Sequence, residues 1–251
     1  MAKVLKFTLS GKNAFFKKPD VNTYLYFTYG HIHKVALLGL LGAIAGYDGY
    51  GQKDWKKPKN NEYAEEYPEF YEKLRNTKVA IVPTDGHENL PKSIHSFNNS
   101  VGYASKEDGG NLIVKEQWLE NPSWDIYIMQ DSEESKKVSD NIKNSNAVYI
   151  PYLGKNDHMA DISNVEEIDA EKADLIGKSV NIKGLFPRNT GILVFSKTGE
   201  DGYKYEERLP ISLDGMLNKY ETRPFVLTNM KVDIKNDESL YNTEYGVVAF
   251  F

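Results

Sequence analysis

The 251-residue chain contains no cysteine. That excludes disulfide bridges and cysteine-ligated zinc, and it fits a reducing compartment. Long apolar runs are missing too: the most apolar stretch, residues 35–47, is broken by glycines and is shorter than the roughly 20 residues that span a bilayer. The opening residues, MAKVLKFTLSG, hold neither a long apolar segment nor a small-residue cleavage site. A soluble, cytoplasmic protein without membrane contact is expected. Nucleophile and phosphate signatures are also absent, with no G-x-S-x-G, Walker A or H-E-x-x-H pattern. The glycine cluster GLLGAIAGYDGYG does not directly follow a strand and has no acid in the expected βαβ context, so no dinucleotide site, and no cofactor, is expected.

What is present is an uneven distribution of charge. The net charge is -5, yet residues 1–47 carry six lysines against the single acid Asp20, which makes this segment +5 and the remainder -10. Within it, residues 11–29, GKNAFFKKPDVNTYLYFTY, combine three lysines with six aromatic rings. A cationic surface suits a polyanion because neutralised phosphates release counterions, and rings beside it offer faces for unstacked bases. A solvated lysine-rich loop over an aromatic core is equally compatible with that composition.

With 40% apolar residues, the chain can bury one large core, with or without an elaborate insertion. KVLKFTLSG alternates as a first strand and ends at Gly11. HKVALLGLLGAIAGY reads as a helix buried on most faces. Its Gly39, Gly42 and Gly46 share one face, where a strand or a neighbouring subunit could approach closely. NEYAEEYPEFYEKL reads as one or two solvated amphipathic helices, and KVAIVP as a buried strand. SIHSFNN and NLIVKEQWL flank a loop as an extended hairpin would, SWDIYIMQ is a further strand, and SEESKKVSDNIKNS opens a helix with an N-cap serine. AVYIPYLG is expected to return as a strand, and residues 179–251 as a β-rich tail. Such an order points to an α+β fold with helices on one face of an antiparallel sheet.

His31 and His33 form an H-x-H pair that would share one face of a strand, but no third ligand accompanies them and no metal is expected. A histidine at the mouth of the basic loop could serve as a general base for RNA cleavage, or hydrogen-bond backbone or phosphate.

Taken in order, F.LSGK.AFFKKP....YLYFTY, HKVALLGLLGAIAGY and PYLGKNDHMADI resemble the CRISPR-associated Cas five family. That family holds the 5′ end of the guide RNA in type I Cascade complexes. FTYGHIHK is most similar to the type I-B branch. Gly11, Phe15, Pro19 and Tyr24 match the family's early segment, Gly39, Gly42 and Gly46 its first helix, and Pro151, Leu153, Gly154 and Ala160 its later one. The resemblance implies a single domain over residues 1–251 with a ferredoxin-like (RRM-like) core of the RAMP superfamily, and a β-hairpin thumb is placed at about residues 93–118. It also implies the crRNA 5′ handle, the Cascade backbone and large subunits, and target DNA through the assembled complex as partners. From their charge and position, not from the family's motifs, Lys12, Lys17, Lys18 and Lys34 are candidate phosphate contacts. Phe16, Tyr24, Tyr26 and Tyr29 are candidate stacking or packing rings, half of them expected in the core. His31, Lys155 and Asn156 complete the candidate RNA-binding set, the last two in a loop equally readable as an ordinary turn. The type I-C branch cleaves precursor RNA with a tyrosine, a lysine and a histidine that include an adjacent Lys-His pair. This chain has no Lys-His dipeptide, so a non-catalytic RNA-binding scaffold is expected. A metal-independent endoribonuclease built on Tyr29, His31 and His33, and a protein-interaction module without nucleic acid, are the alternatives.

Overall fold

A computed structural model describes residues 1–20, 24–52, 66–86, 88–103, 106–195 and 202–251. In chain order the elements are β1 (Ala2–Ser10), β2 (Asn13–Ala14), α1 (Lys34–Ala45), α2 (Glu69–Leu74), β3 (Val79–Pro83), β4 (Lys92–Asn98), β5 (Ile113–Glu120), β6 (Ser123–Met129) and α3 (Glu133–Lys143). They continue with β7 (Asp161–Lys172), β8 (Ser179–Val180), β9 (Ile182–Lys183), β10 (Phe186–Pro187), β11 (Gly191–Val194), β12 (Lys204–Leu213), β13 (Tyr220–Thr228), β14 (Lys231–Ile234), β15 (Leu240–Thr243) and β16 (Gly246–Ala249). The protein is thus a mixed α+β fold dominated by sheets.

The main sheet has seven strands in the order β3-β6-β1-β7-β15-β16-β9. Every neighbouring pair in it is antiparallel except β16 with β9. Its first four strands join α1 and α3 in a β-α-β-β-α-β succession along the chain. β1 lies between β6 and β7 and is covered on both faces, so Val4, Leu5, Lys6 and Phe7 are all buried. Leu5, Phe7 and Leu9 face the helical layer, joining Leu37, Leu38, Leu41 and Ile44 of α1 with Trp124, Ile126 and Ile128 of β6. On the opposite face Val4, Tyr127, Met129, Ile168 and Ala170 meet Val248 and Phe250 from the end of the chain.

α1 starts where His33 Nδ1 accepts from the Ala36 N–H and ends at Gly46 in the left-handed region, φ 77°. α3 begins at Ser132, whose hydroxyl accepts from the Ser135 N–H while Ser135 reciprocates. β4 and β5 form an antiparallel hairpin inserted between β3 and β6, with His95 opposite Glu116 and Ser93 opposite Trp118.

Two expectations are revised. AVYIPYLG is not a strand: residues 147–154 run irregularly with one bridge, Tyr152 to Met159, and Val148, Tyr149, Ile150 and Tyr152 are exposed. The strand lies just downstream as β7, DISNVEEIDAEK, whose many carboxylates concealed its Ile168 and Ala170 core positions. Of the helical reading over residues 61–74, only α2 is observed; residues 61–65 lie outside the described residues.

Candidate nucleic-acid interface

The basic loop is a short ribbon. Lys17 bridges Thr28, the Lys18 N–H donates to the Phe27 carbonyl, and the Tyr29 N–H to the Phe16 carbonyl. Its returning arm lies along the hairpin: the Tyr26 N–H donates to the Lys115 carbonyl, and the Gln117 N–H to that of Tyr26. At the root, β2 pairs with Leu119 and Glu120 of β5. Loop and hairpin therefore form one continuous surface.

Gly154 secures the loop from below. Its φ is +87°, and a Cβ there would lie 2.0 Å from the Phe15 carbonyl oxygen, so the backbones meet more closely than any side chain permits. Next to it, the Lys155 ammonium donates to Glu116 Oε2 at 2.9 Å and sits 4.8 Å from the Phe97 ring centroid and 5.2 Å from that of Trp118. Trp118 stacks on His95 at 3.9 Å and meets the buried His158 edge-on at 4.4 Å. Lys155 thus braces the hairpin against its own loop, while Asn156 is exposed.

The eleven candidate RNA-binding residues separate by burial. Lys12 and Lys17 are exposed, and no carboxylate among the described residues pairs with either. The Lys17 ammonium lies 3.7 Å from the ring centroid of the half-buried Tyr26. Tyr24 is 85% exposed.

Phe16, Tyr29, His31 and Lys34 are buried, and Lys18, like Lys155, is held by a carboxylate. Phe16 and Tyr29 are core rings packed with His33, and Phe16 also with Trp124. Lys18 forms an ion pair with Glu207 of β12, which also accepts from the Tyr205 hydroxyl and, at 2.8 Å, from the Gly30 N–H. Burial opposes ionisation of Glu207, but these three donors outweigh it and hold the carboxyl below its usual range. Lys34 is buried at the start of α1, and burial, with help from Arg223 and Lys78, pushes its pKa down to about 8.

His31 and His33 are interior residues as well. His31 Nδ1 accepts from the Trp124 indole N–H at 3.2 Å, and burial lowers its pKa to about 4. His33 caps α1, and burial lowers its pKa to about 3. Both are neutral acceptors at Nδ1, and the H-x-H pair serves packing and capping. No cluster of three or more histidines and acids suited to a metal occurs among the described residues.

Sequence reasoning missed several surface groups. Phe27, next to Tyr26, is 39% exposed. Lys115 on the hairpin is exposed beside the Tyr26 arm. A cleft of about 680 Å³ runs along α1, lined by Ala36, Gly39 and Ala43, by the rings of Tyr47, Tyr50, Phe70, Tyr149, Tyr152 and Tyr220, and by Gly154. Tyr149 and Tyr152 were hidden in an apolar run that reads as an interior strand, and Tyr220 lies in a remote part of the chain; no sequence signal joins them.

Among the described residues no helix is long and apolar enough to cross a membrane. No protein-family model matches the chain, and no curated protein matches it. Solved structures do. A chain from a CRISPR RNA-guided surveillance complex matches with TM-score 0.49 and 13% identity, covering 90% of each chain. A chain from the Type III-B Cmr-beta structure bound to cognate target RNA and AMPPnP matches with TM-score 0.46 and 11% identity, covering 98% of this chain and 99% of its own. A CRISPR protein from Archaeoglobus fulgidus matches over 99% of this chain and 98% of its own, with TM-score 0.50 and 9% identity. The chain therefore shares its α+β fold, end to end, with a CRISPR-associated protein.

Proposed function

We propose that the protein is a non-catalytic guide-RNA-binding subunit of a type I CRISPR surveillance complex, most like the Cas five family of the I-B branch, which holds the 5′ handle of the crRNA. In this reading β1, α1, β3, β6, α3 and β7 are a ferredoxin-like, RAMP-type core, and the β4/β5 hairpin is the thumb. The observation that carries it is the continuous surface made by the basic loop and the hairpin, on which Lys12, Lys17, Lys115 and the ring of Tyr24 stay exposed while neighbouring rings fill the core. Backbone and large Cascade subunits are its protein partners, and target DNA is met through the assembled complex. The non-catalytic reading is supported by the burial of Tyr29, His31 and His33, which withdraws the three residues of the alternative nuclease site from a substrate.

The test is RNA binding as a function of salt. Replacing Lys12 and Lys17 together by alanine is expected to weaken binding of single-stranded RNA bearing the handle. The slope of log K against log salt should fall by roughly one to one and a half units, as two lost phosphate contacts require. An unchanged slope would place the RNA elsewhere. No cleavage of repeat RNA is expected in the same mixtures, with or without metal, and cleavage would overturn the non-catalytic reading.

A further inference from the structure

We propose that the tyrosine-lined cleft along α1 receives unpaired nucleobases of the same RNA whose phosphates meet the basic loop, an inference that rests on the reading above. The cleft's volume, about 680 Å³, falls within the usual range for ligand pockets, roughly 300–1,000 Å³. No charged side chain lines it among the described residues, so no lysine or arginine described there meets a phosphate. What it offers is flat aromatic surface: the rims of Tyr149, Tyr152 and Tyr220 remain solvent-accessible. The small residues Ala36, Gly39 and Ala43 leave room against α1 for a planar group. Every base has a π-face, and stacking on rings is the sequence-tolerant way to hold a single strand.

The cleft and the basic loop adjoin at Gly154 and share buried packing beneath it. Gly154 lines the cleft and also abuts the Phe15 carbonyl. Tyr220 of the cleft packs on the His33 ring at 5.2 Å, and the same ring touches Phe16 and Tyr29 of the loop. In the proposed arrangement a strand running from Lys12 and Lys17 crosses the exposed Gly154 to reach the tyrosines. This division, phosphates on the lysines and bases on uncharged rings, favours a nucleic acid over an apolar protein segment as the occupant.

The experiment uses the full chain and two probes: single-stranded RNA with the 5′-handle sequence, and a strand of the same length with abasic sites. Tyr149→Leu combined with Tyr152→Leu is expected to reduce affinity for the intact strand on the order of tenfold or more, as loss of base stacking does. The salt slope should stay unchanged, because no phosphate contact is lost. The abasic strand should bind parent and variant alike, and Tyr→Phe replacements should retain binding. Photo-crosslinking of 4-thiouridine-substituted RNA to the unmodified protein should map to these tyrosines, which keeps the test independent of variant folding. If the lysine variant weakens binding while the tyrosine variant and the crosslinks show nothing at the cleft, this inference falls and the RNA-binding reading stands; the cleft would then suit an apolar protein segment. If neither probe binds the parent chain, both fall.

Discussion

Two buried imidazoles, those of His31 and His33, must take up protons when the chain unfolds in acid. Their folded pKa values lie near 4 and 3, against an ordinary value of 6.5. Above pH 6.5 both forms of the chain carry neutral imidazoles, and the full stability is present. As the pH falls below that point, the unfolded chain binds protons that the folded one refuses, so stability declines towards the folded pKa values. Each histidine should cost about 2 kcal/mol by about pH 5. Thermal melts are expected to show a falling Tm over this window, before most carboxylates titrate. A flat Tm would mean that the imidazoles are hydrated. His33→Asn keeps an N-cap acceptor while removing one titration, so its Tm should fall less steeply.

Helix α1 shows how one glycine face serves two surroundings. A Cβ at Gly42 would stand 2.4 Å from Phe70 Cβ, whereas one at Gly39 would find its nearest neighbour, Phe70 Cε2, at an ordinary 3.8 Å. Gly42→Leu should therefore destabilise by about 1–3 kcal/mol through overpacking against α2. Gly39→Ala should stabilise by up to about 1 kcal/mol, because only helix propensity changes. Denaturant melts of the two variants are expected to shift in opposite directions; shifts of the same sign would show that α2 does not define this face. The stripe was readable as a packing surface from its spacing, but the neighbour, a six-residue helix, was not. Elsewhere local signals identified β1, β3, β6 and the Ser132 cap directly. They failed at β7, because a strand of carboxylates with few core positions carries too little apolar periodicity.

At the level of the whole molecule, the end of the chain completes its centre. β15 and β16 extend the main sheet, Phe250 and Val248 cover Val4, Tyr127 and Met129, and the Phe251 N–H and carbonyl both bond to Val79. Deleting residues 240–251 would expose this apolar face, at about 1.5–3 kcal/mol for each large side chain that loses its cover. The truncated chain is expected to be insoluble or unfolded, as soluble yield and limited proteolysis would reveal. A soluble product with the parent's Tm would mean that the β-α-β-β-α-β core stands alone.

The amino-acid order by itself determined the α+β class, the buried first helix, the hairpin and a cationic, ring-rich segment near the start. These rest on short-range periodicity, turn residues and composition, which a linear reading contains. Only the tertiary structure decided what becomes of that charge. Lys3 pairs with Asp169, Lys6 with Glu166 and Lys18 with Glu207, while Lys34 is buried. Of the six lysines in the +5 segment, Lys12 and Lys17 are the ones left exposed without a carboxylate among the described residues. Likewise Tyr149, Tyr152 and Tyr220 reach one cleft only because α1, the loop after α3 and β13 converge in space. Ion pairs and clefts join residues more than a hundred positions apart, and no local pattern records which distant acid or ring will arrive.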